Sequence, residues 1–270
     1  MIIIGEKING AIPSAAAAIE SRDEAFIRKL ARMQTETGAQ YLDVCAGTAQ
    51  EKELDTLKWL LEVVQDESEL PICIDSPNAN ILKEVFPLVK KPGIINSVSG
   101  EGDKCEVIYP LIQGTDWKVI ALTCDDNGIP YTAEKKAAIA FSLIEKAAGF
   151  GITPERILID PLVMAVSAVH DSMIVFMDAI RLIKEKYPTV LTTSGLSNIS
   201  FGMPFRKAIN LNFLALAMSA GMDSAIIDPS NRDVSATALA VDVLMDRDRC
   251  CRKYNKAYRQ GKIGPIRKDQ

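Results

Sequence analysis

Carboxylate and carboxamide side chains follow short apolar runs along this sequence. If those runs are strands, these polar side chains lie at strand ends, where they could bind a ligand or take part in catalysis. These polar positions are Glu6, Asp43, Asp75 with Ser76, Asn96 with Ser97, Asp125, Asp160, residues 194–198 and Asp228. A histidine base and a lysine able to form an imine are both missing from them. The only histidine, His170, follows Asp160 by ten residues, where we expect a partly exposed residue at the start of a helix.

Two kinds of ligand suit such an oxygen-rich set. A divalent cation would take its oxygen ligands from Asp43, Asp75, Asp160 and Asn96, as in a Mg²⁺-dependent lyase or isomerase. A flat heterocycle such as a 2-amino-4-oxo pterin would instead offer N–H donors to the carboxylates, with Asn96 both donating and accepting. Asp160 and Asp228 each precede a proline, and an Asp–Pro pair alone is also typical of a turn.

One polar loop lacks titrating side chains altogether. Residues 192–210 read TTSGLSNISFGMPFRKAIN and contain no His, Cys, Asp, Glu or Lys before Lys207. Gly195 and Gly202 leave room for a planar ring, while Asn198 can donate or accept a hydrogen bond but cannot deliver a proton. We therefore expect this loop to act on a group whose proton arrives from elsewhere.

The elements that position these residues repeat eight times. Short β-branched runs occupy residues 2–6, 41–47, 71–76, 93–98, 118–124, 156–162, 190–195 and 224–230. Their nearly continuous apolar sequence is typical of parallel strands buried on both faces. Helical patterns between them cover residues 23–37, 132–148, 171–185, 204–220 and 234–245, with Pro204 expected in a first helical turn. The third and fourth connections are short and show the weakest helical pattern.

This alternation predicts an α/β fold, a single-domain (β/α)₈ barrel over residues 1–246 with chemistry at the carboxyl ends of its strands. A doubly wound sheet is the alternative, but no G-x-G-x-x-G motif follows the first strand. Residues 247–270 form a basic C-terminal tail, for which a solvated helix end is expected. Its basic residues are Arg247, Arg249, Arg252, Lys253, Lys256, Arg259, Lys262, Arg267 and Lys268.

The overall composition narrows the class of protein further. With 270 residues, 48% hydrophobic content and a net charge of -4, the chain can bury a large core and has no need of a nucleic-acid partner. No apolar run has transmembrane length, and the N-terminus lacks the features of a signal peptide. The six cysteines form no CxxC pair, which favours reduced thiols in the cytoplasm over disulfides, structural zinc or an iron–sulfur cluster.

Four spaced segments carry a family resemblance: CIDSPN, GIINSVSGE, ILIDPL and TTSGLSNISFGMPFR. Together, and in this order, they resemble the pterin-binding barrels, most closely the methyltetrahydrofolate:corrinoid protein methyltransferases. The resemblance implies that Asp75, Asn96 and Asp160 hold the pterin ring. It also implies that Asn198 hydrogen-bonds the N5 region.

The same resemblance places further residues around the folate. It implies that Arg206 contacts the folate edge, that Gly195 and Ser197 belong to the binding loop, and that Glu6 and Asp43 lie near the site. Asn198 would act in catalysis through its amide. Asp160 would share that role by linking N5 to water, from which the proton comes.

The implied reaction moves a methyl group between N5 of methyltetrahydrofolate and a Co(I) corrinoid, in a direction that the residues leave open. The segment AVHDSM around His170 does not match the D-x-H-x-x-G motif of corrinoid carriers, so the corrinoid is expected on a separate protein. The resemblance further implies a homodimer, and the mechanism requires no bound metal.

Three alternatives remain open from the residues. A dihydropteroate synthase would need an Arg-x-His element after the eighth strand, where this sequence reads IIDPSNRD. A Mg²⁺-dependent barrel lyase or isomerase would use the acidic strand ends. A non-catalytic folate-binding subunit would bind folate without turnover.

Overall fold

Eight parallel strands with almost wholly apolar sequence form the centre of the protein. The computed structural model describes residues 1–265. The strands are β1 (Ile2–Asn9), β2 (Tyr41–Cys45), β3 (Ile72–Asp75), β4 (Ile94–Gly100), β5 (Lys118–Asp125), β6 (Ile157–Asp160), β7 (Leu191–Thr192) and β8 (Ser224–Ile227). Their order in the sheet is β7-β6-β5-β4-β3-β2-β1-β8, and each named pair is parallel.

The ends of this sheet meet between β7 and β8 and close it into a barrel. The Asp223 amide donates to the Thr192 carbonyl at 3.1 Å, and the Ile226 amide donates to the Ser194 carbonyl at 3.0 Å. The Leu196 amide then donates back to the Ile226 carbonyl at 3.1 Å. The predicted (β/α)₈ barrel is therefore confirmed, and its carboxyl ends share one mouth.

Ten helices surround the strands within residues 1–265. They are α1 (Pro13–Glu20), α2 (Glu24–Thr37), α3 (Gln50–Glu67), α4 (Ala79–Val85), α5 (Lys104–Ile112), α6 (Ala133–Gly149), α7 (Ser172–Lys186), α8 (Arg206–Ala220), α9 (Arg232–Leu244) and α10 (Arg252–Arg259). Short 3₁₀ turns occupy Phe86–Leu88, Pro154–Arg156, Asn198–Ser200 and Arg249–Cys251. Both of the short connections hold a helix, α4 of seven residues and α5 of nine.

Local sequence explains where several helices begin and end. Asp23 caps α2 by accepting from the Phe26 amide at 3.0 Å, and Thr132 caps α6 by accepting from the Lys135 amide at 3.3 Å. The expectation for α8 was wrong at its start. Pro204 does not lie in the first turn, because Phe205 takes a left-handed conformation with φ of 47° and the helix begins only at Arg206.

Apolar side chains fill the inside of the barrel below its mouth. Ile4, Cys73, Ile94, Ile120 and Leu158 are each at most 1% exposed and pack together there. This interior layer excludes water from beneath the carboxyl ends of the strands. The polar groups at the mouth therefore lie directly above a layer of apolar side chains.

The C-terminal segment folds back onto α9. Ala257 and Ile263 are buried, and the Arg232 guanidinium donates to the Gly264 carbonyl at 2.8 Å. A cavity of about 590 Å³ lies on the barrel flank between α2, α9 and this segment. Arg267 and Lys268 of the predicted basic tail fall outside the described residues. Across residues 1–265, no helix combines the length and the apolar character needed to cross a membrane.

Candidate functional site at the barrel mouth

Strand register brings the predicted residues of β2, β3 and β4 together. Cys45 pairs with Asp75, and Asp75 pairs with Asn96 on the next strand. Asp43 pairs with Cys73, whose side chain belongs to the barrel interior. Because side chains alternate along a strand, Asp43 and Asp75 also face the interior, with Asp75 closer to the mouth.

Burial dominates the electrostatics of this pair of acids. Asp43 is 1% exposed, and the polar side chains nearest its carboxyl group are the Cys73 thiol and the Asn96 carboxamide. Burial, followed by the charge of Asp75, raises the pKa of Asp43 well above its usual range. Burial also raises the pKa of Asp75 to about 6. Burial therefore favours the neutral form of Asp43, while Asp75, closer to the mouth, titrates near pH 6.

Asn96 is held by the backbone of its neighbour strand. The Ser76 amide donates to the Asn96 carbonyl at 2.9 Å, and the Ser76 hydroxyl donates to Glu53 at 2.6 Å. Asn96 is 8% exposed, and its peptide bond to Ser97 is cis. These contacts fix the backbone around Asn96 and leave its carboxamide beside Asp75.

Asp160 ends β6, two strands beyond Asn96, and is almost fully buried. One of its carboxyl oxygens accepts from the Leu162 amide at 2.8 Å. Burial raises the pKa of Asp160 to about 6, against the lowering effects of that amide and of Lys136. The second carboxyl oxygen is left for a ligand.

Asn198 begins the 3₁₀ turn after β7, and its side chain is exposed at the mouth. A β-carbon on Gly195 would lie 3.1 Å from the Asn198 amide nitrogen, so the glycine leaves space for that side chain. Arg206 ties the start of α8 to this turn by donating to the Ser197 carbonyl at 2.8 Å and to the Ser200 hydroxyl at 2.9 Å. The loop is thus braced while Asn198 remains accessible.

The Arg206 guanidinium also stacks over the Phe201 ring, with its carbon 4.7 Å from the ring centre. Both Phe201 and Phe205 are exposed, the latter by 78%. The rim of the mouth on this side is therefore aromatic and cationic.

Glu6 lies at the β1 side of the mouth beside an ion pair. Lys7 stands 3.4 Å from Asp228, and a cleft of about 310 Å³ lies between Glu6, Asp228 and Arg206. Burial, followed by the charge of Asp228, raises the pKa of Glu6 to about 7. Glu6 thus changes protonation near neutral pH.

Sequence reasoning missed Lys136, which touches the turn after β6. Its side chain is buried, and its ammonium donates to the carbonyls of Pro161 and Leu162. The available signal was its place on the apolar stripe of α6, between Ala133 and Ala137 and one turn from Ala140. Strand ends alone did not point to it, because it belongs to a helix.

The described residues do not gather a metal-binding cluster. Within residues 1–265, no group of three or more His, Cys, Asp and Glu side chains is placed to hold a metal ion. His170 is exposed just before α7. The arrangement instead offers fixed hydrogen-bond acceptors deep in the mouth and a carboxamide at its rim, which suits recognition of a flat ring with N–H donors.

A barrel with this mouth is built to hold a polar heterocycle. Residues 12–228 match the family of pterin binding enzymes, and the chain belongs to that family. Within it, the chain is 56% identical over 268 residues to a methylcorrinoid:tetrahydrofolate methyltransferase of Eubacterium limosum. That alignment covers 98% of this chain and 99% of the relative.

Two further comparisons are more distant. The chain is 33% identical to a methionine synthase of Mycobacterium tuberculosis, over 92% of this chain but 22% of that longer protein. A dihydropteroate synthase structure from Xanthomonas albilineans with 4-aminobenzoic acid superimposes with a TM-score of 0.68, 19% identity and 92% coverage of both chains. The structural likeness confirms the shared fold.

Because the pKa of Glu6 is raised in the folded protein, the free energy of unfolding should depend on pH. Between its ordinary value of 4.5 and about 7, the folded protein holds a proton that the unfolded chain has lost, so stability falls as pH rises through this window. We expect Glu6→Gln to raise the melting temperature at about pH 8, by roughly 2–4 °C per kcal/mol recovered, and to have little effect at about pH 4.

Thermal denaturation across this range measures the effect. Glu20→Gln, at an exposed carboxylate of α1, is the matched control and should change neither end of the profile. Equal effects of the two substitutions at about pH 8 would contradict the assignment.

Proposed function

We propose that this enzyme transfers a methyl group between a corrinoid and N5 of tetrahydrofolate. The observation that carries the proposal is the 56% identity to the Eubacterium limosum methyltransferase over nearly the full length of both chains. The direction in that relative's name, from methylcorrinoid to tetrahydrofolate, is the one we propose for this chain. The polar residues of the mouth are suited to binding the pterin and to stabilising charge at N5.

The pterin ring would lie against the residues of β3, β4 and β6. A pterin offers its 2-amino group and an adjacent ring N–H on one edge, which pair with a carboxylate such as Asp160 or Asp75. Asn96 lies between these strands and can both donate and accept. Since these groups are buried, each hydrogen bond they make to the ring counts for more than it would in water.

Methyl transfer to tetrahydrofolate is a nucleophilic displacement. The N5 lone pair attacks the methyl carbon, the nitrogen–carbon bond forms, and the cobalt–carbon bond breaks with its electron pair staying on cobalt as Co(I). N5 then carries a positive charge and loses its proton to solvent, through the water that Asp160 would contact. The reaction therefore needs a group that favours positive charge at N5.

Asn198 is suited to that task through its amide oxygen. A hydrogen bond from N5–H to this oxygen strengthens as positive charge develops, so it stabilises the transition state more than the bound substrate. In the reverse direction, the same amide can donate to an unprotonated N5. The exposed position of Asn198 also allows a second substrate to approach the same atom.

The corrinoid would arrive on a separate protein that covers the mouth. The exposed aromatic residues Phe201 and Phe205 flank Asn198 on this rim and offer a contact surface for it. Phe205 stands out because it holds a left-handed conformation, which costs about 1–3 kcal/mol for a residue with a side chain.

The alternative functions have less support. The likeness to dihydropteroate synthase is at 19% identity and concerns the fold, and the segment after β8 has no histidine. A Mg²⁺-dependent reaction would need the acids of the mouth to converge on one ion, and within residues 1–265 no group of three or more His, Cys, Asp and Glu side chains is placed to do so. A folate-binding subunit without turnover is distinguished by the activity tests below.

We also propose a cytoplasmic location. All six cysteines are free in the structure, and Cys73 and Cys105 are buried thiols in the core. Reduced thiols of this kind are typical of the cytoplasm. A tagged protein that fractionated with a non-cytoplasmic compartment would contradict the assignment.

The first prediction concerns Asn198. Asn198→Ala should lower the rate of methyl transfer by about 100-fold, since it removes a hydrogen bond that strengthens in the transition state. Folate affinity should fall by less than about tenfold, because one neutral hydrogen bond is lost from the bound state. Single-turnover appearance of Co(I) absorbance measures the rate, and calorimetry measures the affinity.

The control for Asn198 is Asn255→Ala, which removes an exposed carboxamide from α10. It should leave both quantities unchanged. A full rate in Asn198→Ala would exclude its catalytic role.

The second prediction concerns Phe205. Phe205→Gly should slow transfer from the corrinoid protein by about tenfold, as loss of an exposed aromatic contact at an interface does. Transfer from free methylcobalamin should keep its rate. The melting temperature should rise or stay the same, because glycine adopts the left-handed conformation without strain.

Leu244→Ala serves as the control, since Leu244 is 81% exposed at the end of α9 that lies away from the mouth. Equal losses with free methylcobalamin and with the corrinoid protein would place Phe205 in the chemistry instead of in docking.

The third prediction concerns a homodimer, which the family resemblance implies. We assign its contact to the apolar face of α7 and α8, where Ile174 and Leu216 are exposed by 56% and 47% beside a groove lined by Met173, Ile209 and Phe213. Leu216→Glu should then yield a monomer in sedimentation equilibrium, because it places a charge in the interface. Leu244→Glu should remain dimeric, and a monomeric wild-type protein would reject the assignment.

A further inference from the structure

Lys136 on α6 is buried although its side chain carries a charge. Lys136 is 3% exposed and occupies the inward stripe of α6 among Ala133, Ala137 and Ala140. Lysine is among the side chains least often buried without a partner, since desolvating its charge is costly. Its burial therefore calls for contacts that compensate the charge.

Those contacts are with the turn that follows β6. The Lys136 ammonium donates to the Pro161 carbonyl at 2.6 Å and to the Leu162 carbonyl at 2.9 Å. Leu162 has a φ of 53°, a left-handed conformation that a leucine adopts only when its surroundings hold it. The same residue's amide donates to Asp160 at 2.8 Å. Lys136 thus fixes the turn that orients the Asp160 carboxylate.

Charge adds to this geometric link. The positive charge of Lys136 lowers the pKa of Asp160, against the larger effect of burial. Burial in turn lowers the pKa of Lys136 to about 8, an effect that the charge of Asp160 opposes. Cys124 on β5 stays a neutral thiol, because burial raises its pKa to about 11. Lys136 is therefore still charged at neutral pH, next to Asp160.

We propose that Lys136 is a positioning residue for the pterin ring, acting through the turn at residues 160–162 and through its charge beside Asp160. The proposal rests on the folate site proposed above and adds a residue that no strand end supplies. Lys136 does not touch the ring. It sets the orientation and the ionisation of a carboxylate that does.

The consequence is a defined pH dependence of folate binding. Ring N–H donors need an ionised acceptor, so affinity falls as pH drops through the pKa of Asp160 near 6. Without the lysine charge the pKa of Asp160 rises, and the loss of affinity then begins at a higher pH. A lysine that acted only as a structural clamp would change stability without moving this midpoint.

Three substitutions separate the clamp from the charge. Lys136→Met removes both, Lys136→Gln keeps amide donors for the two carbonyls without charge, and Lys136→Arg keeps donors and charge. Affinity for 5-methyltetrahydrofolate is measured by calorimetry from about pH 5 to about pH 7.5, with melting temperatures recorded alongside.

We expect Lys136→Met to weaken binding by about tenfold at about pH 6.5 and to move the midpoint upward by about one pH unit. Lys136→Gln should recover melting temperature but keep the raised midpoint. Lys136→Arg should return the midpoint to the wild-type value. In an Asp160→Asn background the remaining titration is that of Asp75, and Lys136→Met should not shift it, because the carboxylate beside Lys136 is gone.

The outcomes distinguish this inference from the function it rests on. A wild-type protein that binds no folate would overturn the proposed function, and this inference with it. A wild-type protein that binds folate, with Lys136→Gln showing the wild-type midpoint, would overturn the inference alone. If Lys136→Met does not fold, the comparison of Lys136→Gln with Lys136→Arg decides the matter.

Discussion

Removal of carboxyl groups from water at one end of the barrel is the constraint on which the rest of the site depends. Asp43, Asp75 and Asp160 sit above an apolar interior layer, and burial raises the pKa of each. Ionised groups in such a place are destabilising unless donors satisfy them. A ligand rich in N–H groups would satisfy these acids, which the register of their strands places around one mouth.

Two parts of the mouth are built differently. Asp75 and Asp160 end their strands and Asn96 lies within β4, so the spacing of these three residues is set by backbone hydrogen bonds. The loop after the two-residue strand β7 has no such ladder and is held by side chains, chiefly by Arg206 on the Ser197 carbonyl. Rigid acceptors suit binding of a ring, and a braced but exposed turn suits contact with an atom that a second substrate must also reach.

The fold and the positions of Asp75, Asn96 and Asp160 could be predicted because both follow from local sequence. Parallel strands buried on both faces read as apolar runs, and the residue after each run must reach the mouth. What could not be predicted depends on tertiary contacts. Pro204 looked like the start of α8 until Phe205 broke the helix at a left-handed residue, and Lys136 acts across a helix–strand interface that no spacing in the sequence encodes.

The lack of a histidine at the mouth is consistent with these physical constraints. A reaction at a ring nitrogen that exchanges its proton with water needs a group that favours one charge state, which an amide dipole such as that of Asn198 provides without titrating. The groups that do titrate near neutrality, Glu6, Asp75 and Asp160, do so because they are buried. If ring donors satisfy Asp75 and Asp160, ligand binding stabilises their ionised forms and lowers their pKa values. Binding then offsets the cost of desolvating these groups, and folate and protons compete for the same carboxylates.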